Sequence, residues 1–167
     1  MLAADYWISA LNLVRHPEGG YYRETYRSAE TISGTALPGR FGGDRAFATA
    51  IYFLLSGDDF SALHRIKADE LWHFHTGSPL TVHRISAEGA YDRLRLGSDP
   101  LRGEAFQGTV AAGTWFGASI DEPAGYALVS CTVAPGFDFA DFALGRRADL
   151  LHAFPHLRGV IERLTRA

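Results

Sequence analysis

Apolar positions along this chain recur mainly with a period of two or in short unbroken runs; helical spacing shows only near the two ends. Ala3, Tyr6, Trp7, Ala10 and Leu11 predict a short amphipathic helix over residues 3–12. Pro17 ends any helix there, and Gly19-Gly20 predicts a turn into a strand of mixed polarity, YYRETYR, over 21–27. The run AFATAIYFLL, 46–55, is almost continuously apolar, which predicts a strand buried on both faces. Further strands are predicted over 80–85 and 91–96, the second alternating as a half-exposed strand does, and within 105–113, 114–120 and 126–133. Short strands broken by turns at this spacing indicate a β-sandwich or barrel.

Two stretches stand outside that pattern. Residues 28–45, rich in Gly, Ser and Thr, read as a long loop of the kind that serves as a lid or contact surface. After a Pro-Gly turn at 135–136, Phe137, Phe139 and Phe142 are expected to plug one end of the core. Asp149 is placed to cap a terminal helical region that Pro155 interrupts, with Leu157, Val160, Ile161 and Leu164 on one face.

The 167 residues contain no repeat, low-complexity tract or linker, so one domain over 1–167 is expected, large enough to bury a substantial core. Aromatics at 13% favour β architecture or a lined pocket over a helical bundle. A net charge of −3 gives no pull toward nucleic acid or anionic lipid, and neither is expected as a partner. Cys131, the single cysteine, excludes an intramolecular disulfide and any multi-cysteine zinc site. Its apolar surroundings predict a buried thiol. No run approaches the roughly 18 apolar residues of a membrane helix. The opening MLAADYWISALNL lacks the basic region and cleavage site of a signal peptide, so a cytoplasmic location is expected.

Candidate chemistry concentrates in SALHRIKADELWHFHTG, 61–77, which holds His64, His73, His75, Asp69 and Glu70. A strand ending near His64, a turn through Lys67-Ala68-Asp69 and a returning strand allow His64 and Glu70 to share an interior, as a catalytic pair or as metal ligands. Alternation puts Glu70, Trp72 and Phe74 on one face and Leu71, His73 and His75 on the other, unless a bulge intervenes. Trp72, Phe74, Trp115 and Phe116 are candidates to line an apolar pocket, and Tyr126 to supply a hydroxyl. His16, His83, His152 and His156 are expected to be structural or surface residues.

The central stretch resembles the first motif of the cupin barrel. His64 stands at the first histidine, Ile66 where the second belongs, Glu70 at the carboxylate and Gly77 at the closing glycine. In the second motif, matched by Ala111-Ala112-Gly113, Phe116 replaces the histidine. Two of the four usual metal ligands are therefore missing. The segments LNLVRHPEGGYYRETYR, AIYFLL, SALHRIKADELWHFHTG, VAAGTWF and SCTVAPGFDFADFAL, in this order, resemble a small cupin-like family of unassigned function, the fifth cupin domain family. That resemblance implies a mainly all-β double-stranded β-helix, a jelly-roll barrel, with short terminal helices, a pocket at one mouth and a homodimer. It makes His64, Arg65, Glu70 and His75 pocket-side candidates. His16, Glu18, Tyr22 and Glu24 match its N-terminal hallmark, either as a tight turn or as a strand lending Tyr22 or Glu24 to a partner's pocket.

Three functions are compatible with these residues, each with a small-molecule ligand. One is an isomerase or epimerase acting on a sugar or related polar metabolite, with His64 as general base, Glu70 orienting it, and Tyr126 or Tyr22 as acid. The second is a metal-dependent, oxygenase-like enzyme holding a divalent ion on His64, Glu70 and His75 or His73. The third is a non-catalytic metabolite-binding module.

Overall fold

The protein is described here by a computed structural model covering residues 3–122 and 124–166. Among the described residues thirteen strands run in chain order as β1 (Val14–Arg15), β2 (Tyr21–Arg27), β3 (Thr31–Ile32), β4 (Arg45–Ala46), β5 (Thr49–Ser56), β6 (Phe60–Arg65) and β7 (Asp69–Gly77). They continue as β8 (Leu80–Ile85), β9 (Tyr91–Leu96), β10 (Gln107–Val110), β11 (Trp115–Ile120), β12 (Tyr126–Ala134) and β13 (Ala143–Leu144). Helices α1 (Ala4–Ala10), α2 (Arg147–Ala153) and α3 (Arg158–Arg163) lie at the ends of the chain.

Two antiparallel sheets form the body. One is six-stranded, in the order β1-β2-β5-β12-β7-β10; the other is five-stranded, in the order β13-β6-β11-β8-β9. Their inner faces enclose the main core, which includes Phe53, Leu55, Trp72, Val82, Phe116 and Val129. Full burial of side chains of this size stabilises by roughly 1.5–3 kcal/mol each.

The outer faces are covered by the termini. Helix α1 is too short to be stable alone. It docks Trp7, Ile8 and Leu11 over Leu54, Tyr126 and Leu128, which explains why β5 is apolar on both faces. Helices α2 and α3 set Leu150, Ile161 and Leu164 against Leu63 and Ile85 of the five-stranded sheet.

The predicted strand 46–55 breaks at Phe47-Ala48, and its first part becomes β4, pairing with β3 inside the segment read as loop. Asp149 is not a cap: Arg146 holds the N-cap position, and Asp149 lies in the first turn of α2. There its carboxylate favours the positive end of the helix. Among the described residues no helix is long and apolar enough to cross a membrane.

Three bulges interrupt the ladders: one in β7 leaves His75 as the extra residue, between Phe74 opposite Val129 and Thr76 opposite Leu128, and the other two re-aim side chains of the site. In β6, Phe116 pairs with His64 and Ala118 with Ser61, so Ala62 and Leu63 together oppose Gly117. Ser61 and His64, three residues apart, therefore face the same way. The bulge frees backbone groups that the ladder cannot satisfy, and each finds a partner. Ala62 N–H donates to the Glu18 carbonyl at 2.8 Å, Leu63 N–H to the Leu164 carbonyl at 2.7 Å, and Gly145 N–H to the Leu63 carbonyl at 2.7 Å. Gly117 is obligatory opposite it, since a Cβ there would lie 2.6 Å from the Ser61 carbonyl oxygen. In β2, Glu24 pairs with Ile51 and Tyr26 with Ala50, leaving Thr25 as the extra residue. Glu24 and Arg27 consequently share the inner face.

Candidate active site

The inner face of the six-stranded sheet carries two rows of side chains in register. One reads Arg27, Thr49, Val133, Glu70; the next reads Glu24, Ile51, Cys131, Trp72. All of these except Trp72 floor a cavity of about 450 Å³, a volume suited to a small metabolite. His16 and Tyr22 form one wall; Phe137, Asp138 and Phe139 form the rim.

Charge at the mouth is organised. Arg27 donates to both Glu24 carboxylate oxygens through its Nε and Nη2, at 3.0 and 2.7 Å, and to the Phe137 carbonyl through Nη1 at 3.1 Å. The loop behind Phe137 is fixed by a buried, bidentate ion pair from Arg45 to Asp141, at 2.7 and 2.6 Å.

Glu18 enters from the turn between β1 and β2. His16 N–H donates to the Gly20 carbonyl at 3.1 Å, Gly19 N–H to the His16 carbonyl at 3.0 Å, and Gly19 and Gly20 have φ of +116° and +73°. Side chains are disfavoured at both positions by conformation and by space: a Cβ on Gly20 would lie 2.7 Å from the Leu54 carbonyl oxygen. The turn thus packs into the barrel and carries Glu18, only 5% exposed, to His64, only 3% exposed.

The hydrogen bonds fix the protons. A carbonyl only accepts, so at 2.8 Å from the Ala62 oxygen His64 Nδ1 must carry a hydrogen. In the neutral ring Nε2 is then bare, and it lies 3.1 Å from Glu18 Oε2. That contact requires one proton between the two groups, on the carboxyl or on the ring. Glu18 Oε1 accepts from the Ser61 hydroxyl at 2.7 Å. His16 Nδ1 accepts the Glu18 N–H at 3.3 Å, which leaves the proton of neutral His16 on Nε2.

Burial opposes every charge in this group. It pushes Glu18 and Glu70 up to about 7 against the attraction of His16 and His64 respectively, and neighbouring Glu18 raises Glu70 further. Burial likewise lowers His16 and His64, and it raises the Cys131 thiol, as does the Glu70 carboxylate beside it. Two carboxyls and two imidazoles therefore share fewer protons than they have sites, and they titrate as a group. Glu70 on the floor and His16 on the wall reach the cavity, with His64 and Glu18 behind them.

The sequence candidates separate on this frame. Glu70, Tyr22 and Glu24 line the cavity of their own chain, so the latter two need no partner's pocket to act on. Trp72 and Phe116 are core residues beneath it, and Phe74 packs against that core. Tyr126 lies on the opposite face of the sheet, under α1, where its hydroxyl accepts from Trp7 Nε1 at 3.1 Å. Arg65 is exposed and stacks its guanidinium 4.5 Å from the Trp115 ring, outside the barrel. His75 packs edge-on against Tyr52, also on the outer face, and His73 pairs across β12 in the same outward row.

The metal set of the cupin motifs does not fit these residues. Ile66 is buried in the core at one ligand position, and Phe116 at another lies with its ring 4.1 Å from that of His64. His75, the third proposed ligand, is on the wrong face. Among the described residues no group of three or more His, Cys, Asp or Glu is disposed to hold a metal ion. Sequence reasoning passed over Glu18, His16, Arg27 and Cys131 as chemistry. The usable signal was a glutamate between proline and two glycines, a polar residue at a turn that the glycines allow to be buried.

Comparison with known proteins gives a consistent assignment. The family model described as Cupin superfamily (DUF985) matches residues 5–145. A solved structure of a hypothetical protein from Leishmania major is 39% identical, with a TM-score of 0.91, covering 99% of this chain and 100% of that one. Protein SO0799 from Shewanella oneidensis is 39% identical, with a TM-score of 0.90 and 99% of each chain covered. The uncharacterized protein YML079W of Saccharomyces cerevisiae is 27% identical over 152 residues, 86% of this chain and 76% of that protein.

Proposed function

Because the chain belongs to the Cupin superfamily (DUF985) family and holds a cavity on the inner face of its six-stranded sheet, we propose that it transfers a proton on a small polar metabolite. The reading is an isomerase or epimerase acting on a sugar or a related compound with a carbonyl beside an acidic C–H. The observation that carries it is the position of Glu70: a carboxyl on the cavity floor, backed by the proton-sharing pair Glu18–His64.

The roles differ from those read in the motif. His64 has both ring nitrogens engaged and is buried behind the wall, so it serves to set the charge of the group. Glu70 is the general acid–base, with a pKa near the operating pH where such a group works best. His16, with its Nε2 hydrogen, is the second proton carrier on the wall. Arg27 and Glu24 at the mouth hold hydroxyl or carbonyl oxygens of the substrate. Ile51, Val133 and Phe137 exclude water from the carbon that loses its proton.

The test is proton exchange. The protein is incubated in D₂O with a panel of aldoses, ketoses, their phosphates and hydroxy acids, and deuterium entry at carbon is followed by NMR. Exchange into one substrate, lost in Glu70→Gln, supports the reading. Saturable binding of a panel member with no exchange in the wild type contradicts it and leaves a binding module.

A further inference from the structure

A second cavity, of about 550 Å³, lies outside the barrel on the outer face of the five-stranded sheet, beside the end of α3. Thr81 and His83 of β8, Arg93 and Arg95 of β9, Ser119 of β11 and Arg163 of α3 line it. The strand register brings them together: His83 pairs with Arg93, and Thr81 pairs with both Arg95 and Ser119. Ile120 is the single aliphatic residue in the lining, so this is a polar concavity and not an exposed piece of core.

Its charge is unbalanced. Asp121 uses both carboxylate oxygens locally, Oδ1 accepting from Thr81 at 2.6 Å and Oδ2 from Arg95 at 2.8 Å. Arg95 also approaches Glu104 at 3.5 Å. Arg93 and Arg163 have no carboxylate within ion-pairing range among the described residues. Their acidic neighbours in sequence are engaged elsewhere, Asp92 with Arg84 and Glu162 with Arg158.

Between these arginines sits a buried imidazole. His83 is 3% exposed. Arg163 Nη2 can only donate, so at 3.4 Å it marks His83 Nε2 as the acceptor. Nδ1 then donates to the Tyr91 hydroxyl at 2.7 Å, and the Ser119 hydroxyl lies 3.0 Å from Nε2. Burial first, and then the charges of Arg163 and Arg93, hold His83 neutral against the opposing pull of Asp121. The ring acts as a fixed support that keeps Arg163 and Ser119 facing the cavity.

We propose that this cavity is an anion site for the phosphate group of a small phosphorylated metabolite, held by the guanidinium groups of Arg93 and Arg163. The class of ligand follows from the donors. Two guanidiniums from different elements converge on one space and match a doubly charged oxyanion better than a single carboxylate. The lining offers no aromatic platform for a base, so recognition centres on the phosphate. The site is separate from the cavity that holds Glu70, and its occupancy is independent of the proposed proton transfer.

Inorganic phosphate is the probe, titrated into the full chain against chloride at matched ionic strength and followed by calorimetry. Saturable one-to-one binding is expected in the wild type, weakened about tenfold in both Arg93→Gln and Arg163→Gln, as loss of one charge-assisted contact requires. Both arginines are exposed, so neither substitution opens the core, and unchanged melting temperatures verify this. Glu70→Gln is expected to bind phosphate like the wild type. Absence of saturable binding through the millimolar range, or a variant of either arginine that binds as tightly as the wild type, would overturn the site.

Discussion

Glu18 Oε2 stands 3.1 Å from His64 Nε2, while His64 Nδ1 is committed to the Ala62 carbonyl. The β6 bulge creates that carbonyl's availability, and the Glu18 carbonyl accepts the Ala62 N–H in return. One structural device therefore fixes the tautomer of the ring and the position of the carboxyl, and it leaves a single proton between them.

Removing Glu18 tests the pair. Glu18→Ala leaves the Ser61 hydroxyl and His64 Nε2 without partners in a closed space and is expected to cost about 2–4 kcal/mol. Glu18→Gln keeps an acceptor for Ser61 and a donor for Nε2, so its loss at neutral pH should stay below about 1 kcal/mol. Urea unfolding at pH 7 measures both, and equal losses would show that the hydrogen bonds contribute little.

Glu70 has a signed pH signature. A carboxyl whose native pKa stands above its unfolded value is kept protonated by the fold. Its contribution is fully present below about 4.5 and is lost as pH rises through about 7. Glu70→Gln cannot ionise, so its stability relative to the wild type should improve from pH 5 to pH 8, by at most about 3 kcal/mol. His16 and His64, lowered by burial, act with the opposite sign: their contribution is present above the ordinary imidazole value of 6.5 and fades as pH falls. Both are unchanged in the variant, so the difference curve isolates Glu70 as far as the coupling allows. A flat difference between pH 5 and pH 8 would contradict the assignment.

The bulge itself is testable at Gly117. An alanine methyl would be driven against the Ser61 carbonyl, and backbone cannot yield as a flexible side chain does. Gly117→Ala should lose about 1–3 kcal/mol, as overpacked sites do. It should also shift the His64 ring resonances in NMR spectra, because Phe116 and Ala118 fix the register around that ring.

Tyr126 separates the motif-derived site from the structural one. Tyr126→Phe removes the acceptor for Trp7 Nε1 under α1 and should cost about 0.5–1.5 kcal/mol by thermal unfolding. Turnover and ligand affinity should not change, since the cavity is on the other face of the sheet. A large loss of turnover without a stability change would return Tyr126 to the chemistry.

Much of the fold was legible because period-two alternation and glycine turns are local signals. Strands β8, β9, β11 and β12 lie where the pattern put them, and the ordered segments carried the family. The site was legible only at Glu70, His64 and the hallmark residues Tyr22 and Glu24. The rest depends on features without a local periodicity. The bulges in β2 and β6 bring Arg27 beside Glu24 and Ser61 beside His64, where strict alternation would separate them. Glu18 reads as a turn residue, and only the packing of Gly19 and Gly20 against β5 and β6 shows that the turn points inward. Tyr126 shows the reverse: an apolar strand with two buried faces does not say which face holds the cavity.

The most direct measurement is a ¹³C NMR titration of glutamate side-chain carboxyl carbons in the wild type and in Glu70→Gln. The account predicts one resonance, absent from the variant, that titrates with a midpoint near 7, with a linked transition from Glu18 and His64. A Glu70 carbon titrating near the ordinary value of 4.5 would mean that the cavity floor is ionised throughout the neutral range, and Glu70 would not be the acid–base group.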